Sequence, residues 1–454
     1  DGNRDGMGKF DIGAVELVLT PVVQVVGTHT VATGTTWGKI AAGDLNRDGY
    51  DDFVIMRNDK FRLGSHDAEN GSVSLLSEVA VNPSYHPLGL GIGDANNDQY
   101  LDVLIGKNHL GVGRGVLPFH GDGTYTYSQG SDISNGGYYT PHYVETFDFN
   151  KDGTNEIITS NYNNDSNGGV SVIFSSGLIR PLRPWPNFFT NGYNPVITDL
   201  NKDGFGDIAL PVGDPEMASP TGLAIMLSNQ SDDFSQSFIS LPNSQGQRFA
   251  DYADLNGDGA PEILVADTLT DSVHVYLNDG SGNFSTTPDK LFHLGAERVH
   301  VVQHASLPGD PVTVAVVSPK GKVGVYSYDG TSETWTQQAI IDAAPSYSTT
   351  GDFNGDGFLD LAFLESEDVS FIYFDNSTPP TLDALNQLTI NEDAPEQTVD
   401  LTGITAGGGE SQPLRITAIS SNPDLISDST VTYTSTQSTG NLKFTPLADQ
   451  HGTT

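Results

Sequence analysis

A short acidic phrase comes round six times in this 454-residue chain. The copies read DLNRDGYDD from Asp44, DANNDQYLD from Asp94, DFNKDGTNE from Asp148, DLNKDGFGD from Asp199, DLNGDGAPE from Asp254 and DFNGDGFLD from Asp352. Oxygen-bearing side chains stand at positions 1, 3, 5 and 9 of each. They are Asp44, Asn46, Asp48 and Asp52; then Asp94, Asn96, Asp98 and Asp102; then Asp148, Asn150, Asp152 and Glu156. The later copies supply Asp199, Asn201, Asp203 and Asp207; Asp254, Asn256, Asp258 and Glu262; and Asp352, Asn354, Asp356 and Asp360. Carboxylates and amides in this pattern suit a hard cation. Ca2+ takes six to eight oxygens at about 2.3–2.6 Å. Alternate side chains of a tight loop can all point inward, and a backbone carbonyl at position 7 can fill the ring. Five copies carry glycine at position 6, where a left-handed turn brings position 9 back. One Ca2+ per copy is expected, about six in all. Gln99 replaces that glycine in the second copy, so a strained turn and a weaker site are predicted there.

The elements that must hold these loops read as strands. WGKIAAG precedes the first loop and DDFVIM follows it; DVLIG, EIITS, DIALP, EILVA and DLAFL follow the others. These runs are short, apolar and β-branched, as buried strands are. The loop opening resembles an EF-hand, but an EF-hand has its bidentate Glu at position 12 and sits between helices. Here the acid is at position 9 and the flanks are strands. A single copy could be a solvated turn. Six copies with one side-chain pattern favour ion loops.

The copies begin 50, 54, 51, 55 and 98 residues apart. The last gap is double the rest, so seven units of about fifty residues are expected, one without its phrase. That silent unit falls near His304, where ERVHVVQHASLPGDPVTVAVVS holds two β-rich runs around a bare turn and KVGVYSYDG follows. His300 and His304 have a metal-like spacing. On a strand, however, four residues span about 13 Å, too far for one ion, so packing is the expected role. Loops of this kind followed by a short apolar strand resemble FG-GAP or VCBS repeats, the family of integrin α-subunit blades and many bacterial surface proteins. HGDGTYTY at His120 and LNDGSGNFS at Leu277 are similar to the glycine-rich turn after the third strand of such units. The resemblance implies an all-β, seven-bladed β-propeller, with calcium in the loops between first and second strands.

The boundaries follow from this reading. Residues 17–376 are expected to form the propeller. Its last blade has three strands before Pro379 and Pro380, so 21–29 is expected to add the fourth and close the ring. Residues 1–16 contain a partial ion phrase spoiled by Lys9, and FDIGAVE resembles the closing segment of bacterial β-helix domains. They read as the remnant of an upstream domain. Residues 377–386 are Pro-rich linker. Residues 387–454 resemble an Ig-like or cadherin-like β-sandwich of large bacterial adhesins, ending before a final strand. Either the piece stops mid-domain or a neighbouring copy donates the strand, which would allow self-assembly.

Composition narrows the function. The net charge is −38, and six Ca2+ ions would supply +12 and leave about −26. An acidic surface of that size opposes nucleic acid binding. No run of eighteen apolar residues predicts a membrane span. There are no cysteines. Calcium loops of modest affinity fill in millimolar extracellular calcium, so a position outside the cell is expected. No nucleophile elbow, His-Glu metal motif or phosphate loop is present. The expectation is a non-enzymatic, extracellular, calcium-binding structural or adhesion module of a large bacterial surface or filament protein, with a protein or carbohydrate ligand. The alternative is a carbohydrate-binding or polysaccharide-lyase propeller. For that reading Trp37, Tyr138, Tyr139, Trp185 and Phe188 could stack on sugars, with RPLRPWPNFFTNGY from Arg180 as the first place to look.

Overall fold

The computed structural model describes residues 24–66, 72–109, 113–135, 140–162, 169–182, 194–212, 221–229, 232–240, 247–286, 289–293, 295–304, 312–330 and 333–375, with shorter stretches between 382 and 450. The described residues are almost wholly β. Seven sheets follow one another along the chain from Val25 to Phe374, a single compact unit.

The first sheet runs Lys39–Gly43, Asp52–Arg57, Lys60–His66 and Val73–Ala80, in that spatial order. The second runs Pro87–Gly93, Asp102–His109 and Gly113–Gly121, and the short strands Tyr127–Gln129 and Ile133–Ser134 both pair with the last of these. The third is Thr140–Phe147, Glu156–Tyr162, Gly169–Ile173 and Ile179–Leu182. The fourth is Val196–Thr198, Asp207–Val212, Gly222–Ser228 and Phe234–Ser240. The fifth is Gln247–Ala253, Glu262–Asp267, Ser272–Tyr276 and Asp289–Phe292. The sixth is Arg298–Gln303, Val312–Ser318, Lys322–Asp329 and Thr334–Asp342; it has four strands and no acidic phrase. The seventh takes Tyr347–Gly351, Asp360–Glu365 and Asp368–Asp375 from late in the chain, and Gln24–Ala32 from its start.

Each sheet packs on the next. Val54 and Met56 of the first meet Val103 and Ile105 of the second, and Ile158 and Val172 of the third meet Ile208 and Met226 of the fourth. The seventh returns to the first, where Phe371 and Leu364 pack with Trp37, Phe53 and Ile55. The second strands are apolar on both faces because a neighbouring sheet covers each face. Phe53, Val54 and Ile55 are all 0% exposed, and each such burial contributes roughly 1.5–3 kcal/mol. The first strand of each sheet is innermost: Lys39–Gly43 lies between Tyr347–Gly351 and Pro87–Gly93, and Gln247–Ala253 lies beside Arg298–Gln303. Sheets stacked face to face in a closed circuit, with first strands inside, make a β-propeller.

The seventh sheet joins the two ends of this circuit. Gln24–Ala32 is its outermost strand, beside Asp368–Asp375. The Thr33 N–H and hydroxyl donate to the Glu367 carbonyl at 2.9 and 2.6 Å. Residues 21–23 of the segment chosen from sequence lie outside the described residues.

Residues from Asp375 on belong to a second compact unit. There Gln397–Leu401, Gly440–Phe444 and Ser429–Thr432 form a three-stranded antiparallel sheet with Gly440–Phe444 in the centre. Leu401, Ile404, Leu442 and Phe444 form its core. The partial ion phrase at 1–9, the FDIGAVE segment and the terminal HGTT lie outside the described residues, as does the bare SLPGD turn.

Candidate metal centres

All six acidic phrases connect the first and second strands of their sheets, so they stand at one end of the circuit. Their backbones are alike. Position 6 is left-handed in every copy, with φ between 73° and 90° at Gly49, Gln99, Gly153, Gly204, Gly259 and Gly357. Gln99, at 73°, bears the strain expected of a non-glycine residue there. Position 4 is left-handed too, with φ between 57° and 73° at Arg47, Asn97, Lys151, Lys202, Gly257 and Gly355.

These two turns bring positions 1, 3 and 5 together. In the first loop the Asp44 carboxylate accepts from the N–H groups of Asp48 (3.1 Å) and Gly49 (3.0 Å). Asn46 Oδ1 accepts from the Asp48 N–H at 2.9 Å, and Asp48 Oδ1 accepts from the Tyr50 N–H at 3.0 Å. Asp94, Asn96 and Asp98 repeat the arrangement, as do Asp148, Asn150 and Asp152, and Asp199, Asn201 and Asp203. So do Asp254, Asn256 and Asp258, and Asp352, Asn354 and Asp356.

Position 9 lies behind this cluster. Asp52, Asp102, Glu156, Asp207, Glu262 and Asp360 are each 0% exposed. One carboxylate oxygen always accepts from the N–H of position 2: Leu45, Ala95, Phe149, Leu200, Leu255 and Phe353, at 2.7–3.2 Å. In four loops the other oxygen accepts from the backbone at the last or next-to-last residue of the third strand: His66, Gly121, Ser228 and Phe374. Position 9 thus ties the loop to its sheet. In the fifth loop Asn256 donates to the second Glu262 oxygen at 3.2 Å, and in the third Glu156 Oε1 is buried with no hydrogen-bond partner.

Burial dominates the electrostatics of position 9. It pushes Asp52, Glu156, Asp207 and Glu262 up to about 7 and Asp360 up to about 8, and the other acids of the same loops add to the rise. Asp102 is raised for the same first reason, with His120 Nδ1 3.1 Å away. No Lys or Arg forms a salt bridge to any of the six among the described residues. Nor do three or more His, Cys, Asp or Glu side chains converge as a metal cluster among those residues. An amide holds position 3 in every loop, and position 9 is turned to the backbone. The donors still fit a hard cation: two carboxylates and an amide oxygen gathered at the surface over a buried acid with no Lys or Arg partner among the described residues, with an orphaned carboxylate oxygen in Glu156. A buried charge of this kind calls for a cation or a proton.

Neighbouring sheets complete the loops with residues that the phrase does not contain. The Tyr125 hydroxyl of the second sheet lies 3.0 Å from both oxygens of Asp52 and accepts from Asn46 Nδ2 at 2.7 Å. Asn278 of the fifth sheet donates to the carbonyls of Leu200 (2.8 Å) and Pro261 (3.1 Å). Asp51 exchanges hydrogen bonds with Asp352, each at 2.8 Å, across the seam between first and seventh sheets. Tyr125 and Asn278 come from the two glycine-rich turns HGDGTYTY and LNDGSGNFS, but nothing in the spacing indicates which loop they reach.

Other sequence candidates part company. Trp37 is 4% exposed, packed between the first and seventh sheets, so it offers no face to a sugar. The apolar seam needs its bulk. Tyr138, Tyr139, Trp185 and Phe188 lie outside the described residues. His300 Nε2 is 2.8 Å from Ser348 Oγ, and His304 packs on the Tyr252 ring, so the two histidines have separate packing roles.

Residues 44–105 and 254–303 match one repeat family. That family is the FG-GAP-like repeat. Each match begins on the first acid of a loop. Cartilage acidic protein 1 of Mus musculus is 27% identical over 287 residues, 60% of this chain; the chain spans 41% of that relative's length. A protein from Lactobacillus plantarum has a similar solved structure, with a TM-score of 0.44 and 15% identity over 67% of this chain and 88% of its own. The Aleuria aurantia lectin, a six-bladed β-propeller, gives 0.42 and 12% over 67% of this chain and 96% of its own. Both matched stretches lie in the unit of seven antiparallel sheets described above.

Proposed function

We propose that the seven sheets are the blades of one propeller, that the six acidic loops each bind Ca2+, and that the chain is a non-enzymatic structural or adhesion module working outside the cell. The ion in each loop would be held by the side chains at positions 1, 3 and 5, such as Asp199, Asn201 and Asp203. Asp207 and its counterparts would neutralise it from behind. Bound Ca2+ would offset the buried charge at position 9, which no Lys or Arg meets among the described residues; Lys202 reaches only the surface acid Asp258 of the next loop, at 3.4 Å.

One observation carries this reading: six position-9 acids, all fully buried, none salt-bridged to Lys or Arg among the described residues. The net charge of −38 and the absence of cysteine support a setting rich in calcium rather than in disulfides. No helix among the described residues is long and apolar enough to cross a membrane. The second unit, with its small antiparallel sheet, is proposed as an Ig-like or cadherin-like neighbour of the propeller in a large bacterial surface or filament protein, able to assemble through its β-edge.

Melting with and without chelator tests the proposal. Ions bound only by the native state stabilise it by mass action, so EDTA should lower the melting midpoint well below its value in millimolar Ca2+. An unchanged midpoint refutes the ion assignment. A screen for turnover of anionic and neutral polysaccharides tests the non-enzymatic part; product formation abolished by a point substitution away from the loops overturns it.

A further inference from the structure

At the opposite end of the circuit two cations meet one aromatic ring. Lys39, Arg298 and Tyr347 are the first residues of the innermost strands of the first, sixth and seventh sheets. The acidic loops follow the last residues of such strands, so these three stand at the far mouth. The Lys39 ammonium is 4.6 Å from the centroid of the Tyr347 ring. The Arg298 guanidinium is 4.8 Å from that ring and 3.8 Å from the ring of Phe249, near the start of the fifth sheet's innermost strand. Three strands thus place two cations against one tyrosine, in a chain with 20 basic and 58 acidic residues.

Cation–π contact accounts for the ring faces. It leaves the ammonium of Lys39 with no carboxylate among the described residues. Burial first, and then the charge of Arg298, lower Lys39 to about 8. A fold with 58 acids could easily have placed one here. Lys39 and Tyr347 are both half-buried, so the site stays open to solvent on one side.

We propose that this mouth binds an oxyanion group, carboxylate or sulfate, with Lys39 as the charge the ligand neutralises and Arg298 as the flanking cation. Such groups are recognised by Lys and Arg through charge-assisted hydrogen bonds. The proposal does not depend on calcium in the loops.

Titration calorimetry of the full chain in Ca2+ buffer, with sulfate in one arm and succinate in the other, tests it. Saturable binding of at least one probe is expected, weakened fivefold or more in Lys39→Met and kept within fivefold in Lys39→Arg. Lys39→Gln serves for the same comparison if Lys39→Met melts early. Asp203→Ala, at the other end, should bind the probe as the unaltered chain does. No saturable binding of either probe, less than fivefold loss in the neutral variants, loss in Lys39→Arg, or loss in Asp203→Ala, as for an anion held on a loop ion, overturns it.

Discussion

Asp251 is a carboxylate that stays out of the loops. It lies on the innermost strand of the fifth sheet, where it accepts from the Val301 N–H of the sixth at 2.7 Å and from the Tyr252 N–H at 2.8 Å. Burial, and after it the nearby Glu145, push it up to about 7. Its unfolded value is 3.8, so between pH 4 and pH 7 the unfolded chain gives up this proton while the folded chain keeps it. The group's contribution to stability therefore falls as pH rises through that window. Asp251→Asn removes the effect. The stability of the unaltered chain relative to Asp251→Asn, from urea unfolding in constant Ca2+, should drop from pH 4.5 to pH 7.5; a constant difference would mean that Asp251 is ionised throughout. The sequence made the loop acids visible because they repeat. Asp251 occurs once, and the Val301 N–H it accepts from lies 50 residues on, so its role was not legible.

Loops and strands were legible in unequal measure. Apolar runs such as EILVA announce second strands because both faces are covered, and Glu262–Asp267 is buried throughout. Glycine at position 6 announces its turn. The left-handed residue at position 4 gives no such sign, since Arg47, Asn97, Lys151 and Lys202 occupy it as readily as glycine. The brace from Tyr125 to Asp52 spans 73 residues, and a local phrase cannot encode it. The loop with the strained turn makes a test at this scale. Gln99→Gly relieves a left-handed side chain, worth about 1–2 kcal/mol, against an entropic cost of about 0.5–1 kcal/mol. A net gain of about 0.5–1 kcal/mol is expected in urea unfolding, with tighter Ca2+ binding at the second loop; a loss of stability would show that Gln99 makes a contact that outweighs its strain.

At the scale of the molecule, period and phase carried most of the information. Equal gaps imply equal sheets, and a doubled gap implies a sheet without the acidic phrase; the Arg298–Asp342 sheet is one. Closure was inferred from a strand with nothing else to pair with, and Gln24–Ala32 lies in the seventh sheet. Removing it should open that sheet. A chain starting at Thr33 is expected to melt about 5–10 °C lower and to associate through the bared edge; unchanged melting and a monomeric profile in light scattering would show that the strand is dispensable. Charge could be counted but not placed from the sequence: the acids at one mouth and Lys39 with Arg298 at the other come together only through the ring. Equilibrium dialysis with metal analysis tests the six loops as calcium sites most directly. The prediction is about six Ca2+ per chain, and one fewer in Asp203→Ala with the others retained. A count of none or one in the folded chain, or no change in Asp203→Ala, would contradict it.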